Sequence, residues 1–427
     1  MAFSGGGSRA TALALTVLQQ LRNATYTIDG KPTNLLENVQ LISSVSGGSV
    51  TAGYVAMNGL DRIDKLTDDF LMEDNMAALE WSFANPVTWL GLTFGNESRI
   101  DVLRDLFDER MFHQAAFGEV RKKNHPIVIF NATDMVSGEV FAFTPDRFDD
   151  ICSDLDTVPL SVVVASSAAF PVLLSPVDLK NYSAGCKMTA PAPAWIDKDL
   201  NSENTRYLNV KEYKRARYVD SLRRAGKTSD NLPADEKPFR NIEYIHLLDG
   251  GVADNQGIGS LADMFFFPHA SVRLLDAINR GKWKKIVVIT VNARSDLPSE
   301  LDQYAGTPGI ISMLKSVTSV PIDSATASLN GEMQNLLDTL RANVQGIAVY
   351  GITIDFDQFR KGQESFRDDV KKIGTTWTLT SGELKTVNDA GTILLHQHPC
   401  FQRLLMDLNA KGEVDPDFAK RDCPVSN

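Results

Sequence analysis

The stretch Val39-Gln40-Leu41-Ile42-Ser43-Ser44-Val45-Ser46-Gly47-Gly48 joins a short apolar run to a Ser/Gly-rich turn. Its apolar start, Val39 to Ile42, is bounded by two serines, which is typical of a buried strand. Small and apolar residues follow the turn from Val50 to Met57 and indicate a helix. The stretch therefore predicts a strand that passes through a tight turn directly into a helix.

Strands and helices alternate on both sides of this stretch. Upstream, small and apolar residues recur at helical spacing between Arg9 and Arg22, which predicts a helix with one buried face. Downstream, strand-like runs stand at 127–130, 242–248, 286–291 and 347–354. The alternation predicts a three-layer α/β/α fold with a mostly parallel central sheet.

The length of 427 residues suits one large domain with insertions. We assign residues 1–355 to this domain and interpret the polar stretch 187–240 as an insertion in it. Residues 356–427 are mostly polar, with one helical patch at 384–395. We expect them to form a C-terminal extension that packs on the same domain.

Composition excludes several classes of protein. The hydrophobic fraction of 43% and the charged fraction of 23% are those of a globular chain and disfavour disorder and coiled coil. A net charge of -11 would repel a phosphate backbone, so we expect no nucleic-acid partner. No apolar run reaches the roughly 18–20 residues that a membrane span needs.

The four cysteines form two pairs that are close in sequence, Cys152 with Cys186 and Cys400 with Cys423. Two disulfides would suit an exported protein, whereas four free thiols would suit the cytosol. The sequence favours export, periplasmic or secreted, over the cytoplasm. Because only Met1-Ala2-Phe3 precede the first glycine-rich loop, we also expect that part of the first strand and any targeting segment are missing from this sequence.

Ser46 is the candidate nucleophile. It stands at the junction of a strand and a helix, within Ser44-Val45-Ser46-Gly47-Gly48. Small residues two positions on either side let the backbone turn sharply enough to project the hydroxyl, as in a G-x-S-x-G turn whose first glycine is here Ser44. The same five residues would also suit an ordinary Ser/Gly-rich turn.

The loop Gly5-Gly6-Gly7-Ser8-Arg9 opens a predicted helix. Backbone N–H groups of such a loop, together with the helix N-terminus, can stabilise a developing negative charge, as an oxyanion hole requires. The pattern Gly5-x-Gly7-x-x-Ala10 also fits a dinucleotide-binding loop, with Asp29 as the ribose ligand. The loop alone does not distinguish an oxyanion from a pyrophosphate, and it can also be a simple turn.

Asp249-Gly250-Gly251 follows the predicted strand 242–248. A carboxylate at the carboxyl end of a strand in an open α/β sheet faces the crevice in which ligands bind. The two glycines permit close approach of backbone. An Asp-Gly-Gly turn by itself is more often structural.

The three elements together resemble the patatin-like phospholipases, which are related in fold to the catalytic domain of cytosolic phospholipase A2. That family combines a G-G-G-x-R/K loop, a G-x-S-x-G turn and a D-G-G/A turn in this order. Two further blocks are similar to the family's, namely Ile129-Phe130-Asn131-Ala132-Thr133-Asp134 followed by Ser137-Gly138, and Ala165-Ser166-Ser167-Ala168-Ala169-Phe170-Pro171 followed by Pro176. The similarity runs from about Phe3 to Asn292 and is weak in the insertion.

The resemblance implies a role for each motif. Ser46 would be the nucleophile and Asp249 its general base, with no histidine between them. Backbone N–H groups of the glycine loop and of the residue after the nucleophile would form the oxyanion hole (Gly5, Gly6, Gly7, Gly47). Further positions would support the site (Arg9, Gly48, Gly250, Gly251), with Arg9 holding the loop or contacting a lipid phosphate. The implied function is a phospholipase A or lysophospholipase that works through an acyl-enzyme.

We expect neither a cofactor nor a metal. A hydrolase triad in the order Ser, Asp, His has candidates in His269, His396 and His398, but we interpret them as structural residues. His396-x-His398 lacks accompanying ligands of suitable spacing, apart from Cys400.

Two segments suggest contact with a membrane surface. Trp81 to Phe94 is rich in aromatic residues and would suit a lid or an interfacial patch, or simply a loop and helix packed on the core. Arg206 to Lys227 carries eight basic side chains against two acidic ones and would attract anionic headgroups, or form a solvated face.

Two other hypotheses remain open. One is a dinucleotide-binding oxidoreductase, which leaves Ser46 and Asp249 without a role. The other is a catalytically silent, lipid-binding relative of the patatin-like enzymes. The sequence does not determine the headgroup, the acyl position or the oligomeric state.

Overall fold

The computed structural model describes residues 1–84, 98–123, 126–171, 173–183, 218–220, 222–223, 242–266, 283–295, 331, 333–342, 344, 346–411 and 423–424. The insertion predicted at 187–240 and the aromatic stretch after Ala84 therefore lie almost wholly outside the described residues. In the described part of the chain, helices and strands alternate along most of the sequence, as the apolar patterns predicted.

The strands are β1 (Ala2–Phe3), β2 (Thr25–Ile28), β3 (Lys31–Asn34), β4 (Leu41–Val45), β5 (Ile127–Asp134), β6 (Val140–Ala142), β7 (Val177–Lys180), β8 (Tyr244–Asp249), β9 (Lys285–Asn292) and β10 (Ala348–Asp355). The α-helices are α1 (Gly7–Asn23), α2 (Gly47–Asn58), α3 (Asn75–Ala84), α4 (Arg99–Phe107), α5 (Phe117–Lys123), α6 (Pro145–Asp150), α7 (Leu160–Ser167), α8 (Gly251–Asp254), α9 (Ile258–Phe266), α10 (333–342), α11 (Glu364–Lys371), α12 (Ser381–His396) and α13 (Pro399–Asp407). Short 3₁₀ turns occupy Leu36–Asn38, Leu60–Arg62, Leu155–Thr157 and Phe356–Gln358, and π-turns occupy Thr67–Leu71 and Asp108–Phe112.

The central sheet has the order β10-β9-β1-β4-β5-β8-β7, with β6 paired to β5. The strands from β10 to β5 in this order are all parallel. β6 and β8 run antiparallel to β5, and β7 runs antiparallel to β8. The sheet is thus mostly parallel, and the predicted fold class is confirmed.

The central strands are buried on both faces, as parallel strands covered by helices must be. Alternate side chains enter two separate cores because successive residues of a strand point to opposite faces. Phe3 and Ile42 enter the larger core with α1 and α2, whereas Ala2 and Leu41 enter the smaller core. The smaller core is completed by α9 and by apolar residues of α10, so helices cover both faces of the sheet.

The sequence patterns predicted three of the described helices (α1, α2 and α12) and five of the ten described strands (β4, β5, β8, β9 and β10) to within a few residues. The main difference is β4, which spans Leu41–Val45 rather than Val39 to Ile42. Ser43 and Ser44 continue the strand although they are polar, because their hydroxyls donate to the carbonyls of Gly257 (2.7 Å) and Ile129 (3.1 Å). Bonded in this way, a serine can be buried at little cost.

The residues after β10 pack against α1 and share the larger core with it. Val387, Leu394 and Phe401 belong to the same apolar cluster as Leu13 and Leu18. Polar contacts accompany them, since the Thr16 hydroxyl donates to Asn388 Oδ1 at 2.8 Å. That residues 356–427 form a C-terminal extension of the same domain stays a prediction.

Cys400 and Cys423 form a disulfide with a Cα–Cα distance of 5.0 Å. Cys152 is also disulfide-bonded, while its expected partner Cys186 lies outside the described residues. No described cysteine is free. Among the described helices, none combines the length and apolar character that crossing a membrane requires.

Candidate active site

Ser46 lies between the last residue of β4 and the first residue of α2, and its backbone is strained. Its φ and ψ are 50° and -120°, a region that side-chain-bearing residues rarely occupy. The Ser46 N–H donates to Ser167 Oγ at 3.0 Å, and the Ser46 carbonyl accepts from Ser49 N at 2.8 Å. Only 6% of the residue is exposed, so these contacts hold the turn inside the protein.

The glycines after Ser46 allow two backbone segments to touch. A Cβ on Gly47 would lie 2.0 Å from the Gly7 carbonyl oxygen, and one on Gly48 would lie 2.7 Å from the Ser4 carbonyl oxygen. The Gly48 N–H donates to that same Ser4 carbonyl at 3.2 Å. Any larger residue at either position would push the Ser46 turn away from the first loop.

Ser44 replaces the first glycine of the usual turn without disturbing it. Its hydroxyl donates to the Ile129 carbonyl and accepts from Ser49 Oγ at 3.0 Å. The side chain is thus bonded inside the protein, which explains why this departure from the family pattern is tolerated.

The glycine loop contributes backbone N–H groups at the start of α1. Gly6 and Gly7 have positive φ values of 137° and 57°, which a side chain would disfavour. Among the described residues, no carbonyl accepts from the N–H of Gly6, Gly7 or Gly47. Free N–H groups at two helix N-termini are suited to an anion.

Gly5 differs from its two neighbours. Its N–H donates to the Asn255 carbonyl at 3.1 Å and is therefore not available to an oxyanion. A Cβ on Gly5 would lie 3.2 Å from Ser46 Cβ and 2.6 Å from Asn255 Oδ1. Gly5 therefore allows Ser46 and Asn255 to approach the loop closely but does not act as a donor. The predicted oxyanion-hole donors are reduced to the N–H groups of Gly6, Gly7 and Gly47.

Arg9 fastens the glycine loop from within. It is 1% exposed, and its guanidinium donates to the carbonyls of Ala293 (2.8 Å) and Ile373 and to Thr375 Oγ1 (3.4 Å). Burial lowers the pKa of Arg9 to about 10. Of its two predicted roles, these contacts favour holding the loop, since so buried a side chain does not reach a lipid headgroup.

Residues 373–378, here called the strap, lie against the same loop. The Thr376 carbonyl accepts from Ser8 N at 2.8 Å, and a Cβ on Gly7 would lie only 2.3 Å from that oxygen. The strap also reaches α3, because the Trp377 carbonyl accepts from Asn75 Nδ2 at 3.0 Å. No sequence pattern indicated this element.

Asp249 reaches Ser46 because of strand register. Val45 pairs with Asn131 on β5, and the next residue of β5, Ala132, pairs with Asp249 on the other side. Parallel strands have their carboxyl ends at the same edge of a sheet, but β8 is antiparallel to β5, so this rule does not place the end of β8 beside the end of β4. Its last residue nevertheless ends level with Ser46.

The Asp249 carboxylate is 5% exposed and accepts a hydrogen bond from Gly251 N at 2.7 Å. Burial raises its pKa to about 6, against the smaller lowering effects of the Gly251 N–H and of a side-chain hydrogen bond from Ser46. A carboxylate in this environment is a stronger proton acceptor than an exposed one.

The turn after Asp249 is packed as closely as the turn after Ser46. A Cβ on Gly250 would lie 2.2 Å from the Asn131 carbonyl oxygen, and one on Gly251 would lie 2.8 Å from Asn255 Oδ1. The Asp249 N–H donates to the Ala169 carbonyl at 2.9 Å. Both glycines therefore support the position of the carboxylate.

His396 and His398 lie away from this pair. His398 is half-buried beside β10, where its Nε2 accepts from Thr353 N at 3.3 Å, and desolvation lowers its pKa to about 4. β10 is three strand spacings from β4, or about 14 Å. His396 contacts Gln20 Oε1 at 3.1 Å, and His269 lies outside the described residues.

Comparison with known proteins identifies the family of the chain. A family model described as patatin-like phospholipase matches residues 1–262, which is more than half of the chain. The chain belongs to the patatin-like phospholipase family. Members of this family are generally lipid acyl hydrolases. No curated protein matches the chain significantly.

The patatin-like match ends within α9, before the strap. The contacts of the strap with Gly7, Ser8 and Arg9 are therefore made by a part of the chain beyond the matched residues. The two family-like blocks noted in the sequence lie at the site: Ile129 to Asp134 is the end of β5, and Ser167 lies behind the Ser46 turn.

The dinucleotide hypothesis fails on the position of Asp29. This residue lies in the turn between β2 and β3, beyond the far end of α1. α1 has 17 residues, so about 25 Å separates its two ends. Asp29 is exposed there and does not approach the glycine loop of this patatin-like site.

Only parts of the two predicted membrane-contact segments are described. In the first, Trp81 of α3 is 70% exposed. In the second, Arg223 pairs with the buried Asp150 at 3.1 Å and so does not belong to a free basic face. The other basic residues of that run lie outside the described residues.

Gly7→Ala should remove activity by displacing the glycine loop. The new Cβ would meet the Thr376 carbonyl oxygen at 2.3 Å, and the φ of 57° is unfavourable for alanine. We expect kcat/KM for a soluble ester to fall by at least about 10²-fold, the effect of losing one oxyanion donor. Steady-state kinetics and a thermal melt measure the two effects separately.

Gly30→Ala is the matched control, because Gly30 also has a positive φ (78°) but no atom within 4 Å of the new Cβ. It should lose only about 1 kcal/mol of stability and keep normal turnover. Normal turnover in folded Gly7→Ala would contradict the proposed position of the loop.

Proposed function

We propose that this protein is a serine lipid acyl hydrolase of the phospholipase A or lysophospholipase type, with Ser46 as nucleophile and Asp249 as general base. The observation that carries the proposal is strand register, which sets Ser46 beside the buried Asp249 carboxylate, so that the Ser46 side chain lowers the pKa of Asp249. A hydroxyl is a weak nucleophile until an adjacent base takes its proton, and this contact provides the base directly.

In the first half of the reaction, Ser46 Oγ attacks the carbonyl carbon of an acyl ester while Asp249 accepts the hydroxyl proton. The resulting tetrahedral intermediate carries a negative oxygen. N–H groups of Gly6, Gly7 and Gly47 stabilise this oxygen, aided by the positive ends of the α1 and α2 dipoles. Asp249 then gives its proton to the departing alcohol.

In the second half, water attacks the acyl-enzyme. Asp249 accepts a proton from the water, the same N–H groups stabilise the second oxyanion, and the proton passes to Ser46 as the fatty acid leaves. The raised pKa of Asp249 suits both tasks, because one group must accept and return a proton in each half. The mechanism uses protein groups and water only.

The proposed substrates are acyl esters of glycerophospholipids or related lipids. Besides family membership, the surface near the site supports this choice. The first turn of α3 is bonded to the strap, since Met76 N donates to Thr378 Oγ1 at 2.8 Å, and the strap contacts Gly7. The exposed Trp81 stands five residues farther along that helix, where it would contact a membrane surface.

Replacing either member of the dyad should abolish hydrolysis. We expect Ser46→Ala and Asp249→Asn each to lower kcat by at least about 10³-fold on a nitrophenyl ester and on a phospholipid. A fluorophosphonate probe should label Ser46 in the wild type, as mass spectrometry of the labelled peptide would show. Asp249→Asn should remain folded, because the neutral amide avoids the cost of burying a charge.

Asp355→Asn is the matched control for the carboxylate. Asp355 is half-buried, and desolvation is the main cause of its raised pKa, but it lies at the end of β10. This variant should hydrolyse both substrates at the wild-type rate. Near-normal turnover of Ser46→Ala or Asp249→Asn would show that the dyad assignment is wrong. A wild-type protein that reacts with neither the probe nor the substrates would be a catalytically silent relative of the family.

The pH profile should report the pKa of Asp249. Because the base must be ionised and its pKa is about 6, kcat/KM should fall about tenfold per pH unit below pH 6 and level off above it. Unfolding caused by protonation of Asp249 would not explain this loss of activity. The pKa of Asp249 is higher in the native protein than in the unfolded chain, so its protonation between about pH 4 and 6 stabilises the fold.

Kinetics on a soluble ester between about pH 4.5 and 8, with circular dichroism at each pH, would measure this profile. An acidic limb near the ordinary aspartate pKa of about 4 would argue against Asp249 as the base.

Trp81→Ala should separate interfacial from soluble substrates. We expect at least about threefold slower hydrolysis of phospholipid vesicles, because an exposed indole contributes to binding at an interface, and unchanged hydrolysis of a soluble ester. Tyr244→Ala is the control, since Tyr244 is similarly exposed but begins β8, about 17 Å from Asp249 at its other end. Equal rates on vesicles for wild type and Trp81→Ala would exclude this contact.

A further inference from the structure

Ser167, the last residue of α7, is fully buried and lies behind the nucleophile turn. Its hydroxyl donates to the Asn131 carbonyl at 2.6 Å and accepts from Ser46 N at 3.0 Å. It also lies 2.9 Å from the hydroxyl of Ser49, in the first turn of α2. A serine hydroxyl offers one proton, which Ser167 gives to the Asn131 carbonyl, and acceptor positions, one of which takes the Ser46 N–H.

The backbone next to Ser167 holds the other member of the dyad. The Ser167 carbonyl accepts from Gly250 N at 3.1 Å, and the Ala169 carbonyl accepts from Asp249 N at 2.9 Å. The end of α7 is therefore bonded to both turns, through a side chain on one side and through backbone on the other.

Asn131 of β5 lies between the two turns and fixes this bridge to the sheet. Its carbonyl oxygen accepts the Ser167 proton, and it is also the atom that a Cβ on Gly250 would meet at 2.2 Å. The Asn131 side chain donates to the Ser44 carbonyl at 3.0 Å, in the strand that leads to Ser46. Both turns are thus anchored to one residue of the central sheet.

The Ser46 N–H depends on Ser167 because of the strained turn. With a φ of 50°, Ser46 leaves the strand before α2 begins, and its N–H meets the Ser167 hydroxyl instead of a backbone carbonyl. Without that hydroxyl, a buried N–H and the Asn131 carbonyl would both lose a partner. The turn would then relax, and the Ser46 hydroxyl would move relative to Asp249.

We propose that Ser167 is a positioning residue that fixes the Ser46 hydroxyl against the Asp249 carboxylate, an inference that rests on the dyad proposed above. It touches neither the substrate nor the reacting atoms. It acts through the backbone of Ser46, so its removal should slow the chemical steps more than it weakens substrate binding.

The test compares Ser167→Ala with Ser166→Ala. Ser166 is the neighbouring residue and is equally buried, but its hydroxyl donates to the Val162 carbonyl of its own helix at 2.7 Å. On a soluble ester we expect Ser167→Ala to lower kcat about 10- to 100-fold with KM within about twofold of the wild type. Ser166→Ala should keep normal kcat.

A second readout is the pH profile of kcat/KM. The hydrogen bond from Ser46 lowers the pKa of Asp249, so a displaced Ser46 should move the acidic limb to higher pH. A residue that only supports the fold would leave the limb in place for the folded enzyme. Ser166→Ala should show the wild-type limb.

Ser167→Cys covers the case in which Ser167→Ala does not fold. The thiol fills the site but is a weak donor and acceptor, so kcat should again fall with little change in KM. Normal kcat and an unshifted limb in folded Ser167→Ala or Ser167→Cys would overturn the inference. Ser46→Ala, run alongside, separates the two proposals, because an active Ser46→Ala would refute the dyad itself.

Discussion

The strained backbone of Ser46 is the constraint around which the site is built. A residue with a side chain in this conformation costs on the order of 1–3 kcal/mol, so surrounding contacts must hold it. Gly47 provides the space for the turn to touch the glycine loop. The Ser167 hydroxyl accepts a hydrogen bond from the Ser46 N–H, and the Ser49 N–H donates one to the Ser46 carbonyl. These contacts fix the backbone of the turn that carries the Ser46 hydroxyl.

The same close packing brings two helix N-termini together. Thr11 of α1 donates to the carbonyls of Gly47 (2.8 Å) and Gly7 (3.2 Å), and Thr51 of α2 donates to the Thr11 carbonyl at 2.9 Å. Small residues at these positions let the two helices approach. Their positive ends then face one region beside a carboxylate whose pKa is raised by burial. In the proposed mechanism this setting favours the anionic intermediate and leaves Asp249 able to accept a proton.

Much of this arrangement could be predicted from the chain. The spacing of apolar residues predicted the positions of α1, β5, β9 and β10 closely, because in these elements it follows directly from which faces are buried. Polar residues that continue a strand, such as Ser43 and Ser44, could not be assigned in this way, since their hydrogen-bond partners are distant in sequence. For the same reason Ser167, Asn255 and the strap received no role in the site. Their contacts join residues more than 100 positions apart.

By itself, the sequence determined the three chemical groups and their local settings. A glycine loop before a helix, a serine in a Ser/Gly turn and an aspartate before two glycines are each encoded within a few residues, because turns need particular side chains. Tertiary structure alone decided that Asp249 meets Ser46 although β8 is antiparallel, that Gly5 gives its N–H to Asn255, and that Asp29 is remote. These outcomes depend on strand register and on long-range hydrogen bonds, which local sequence does not specify.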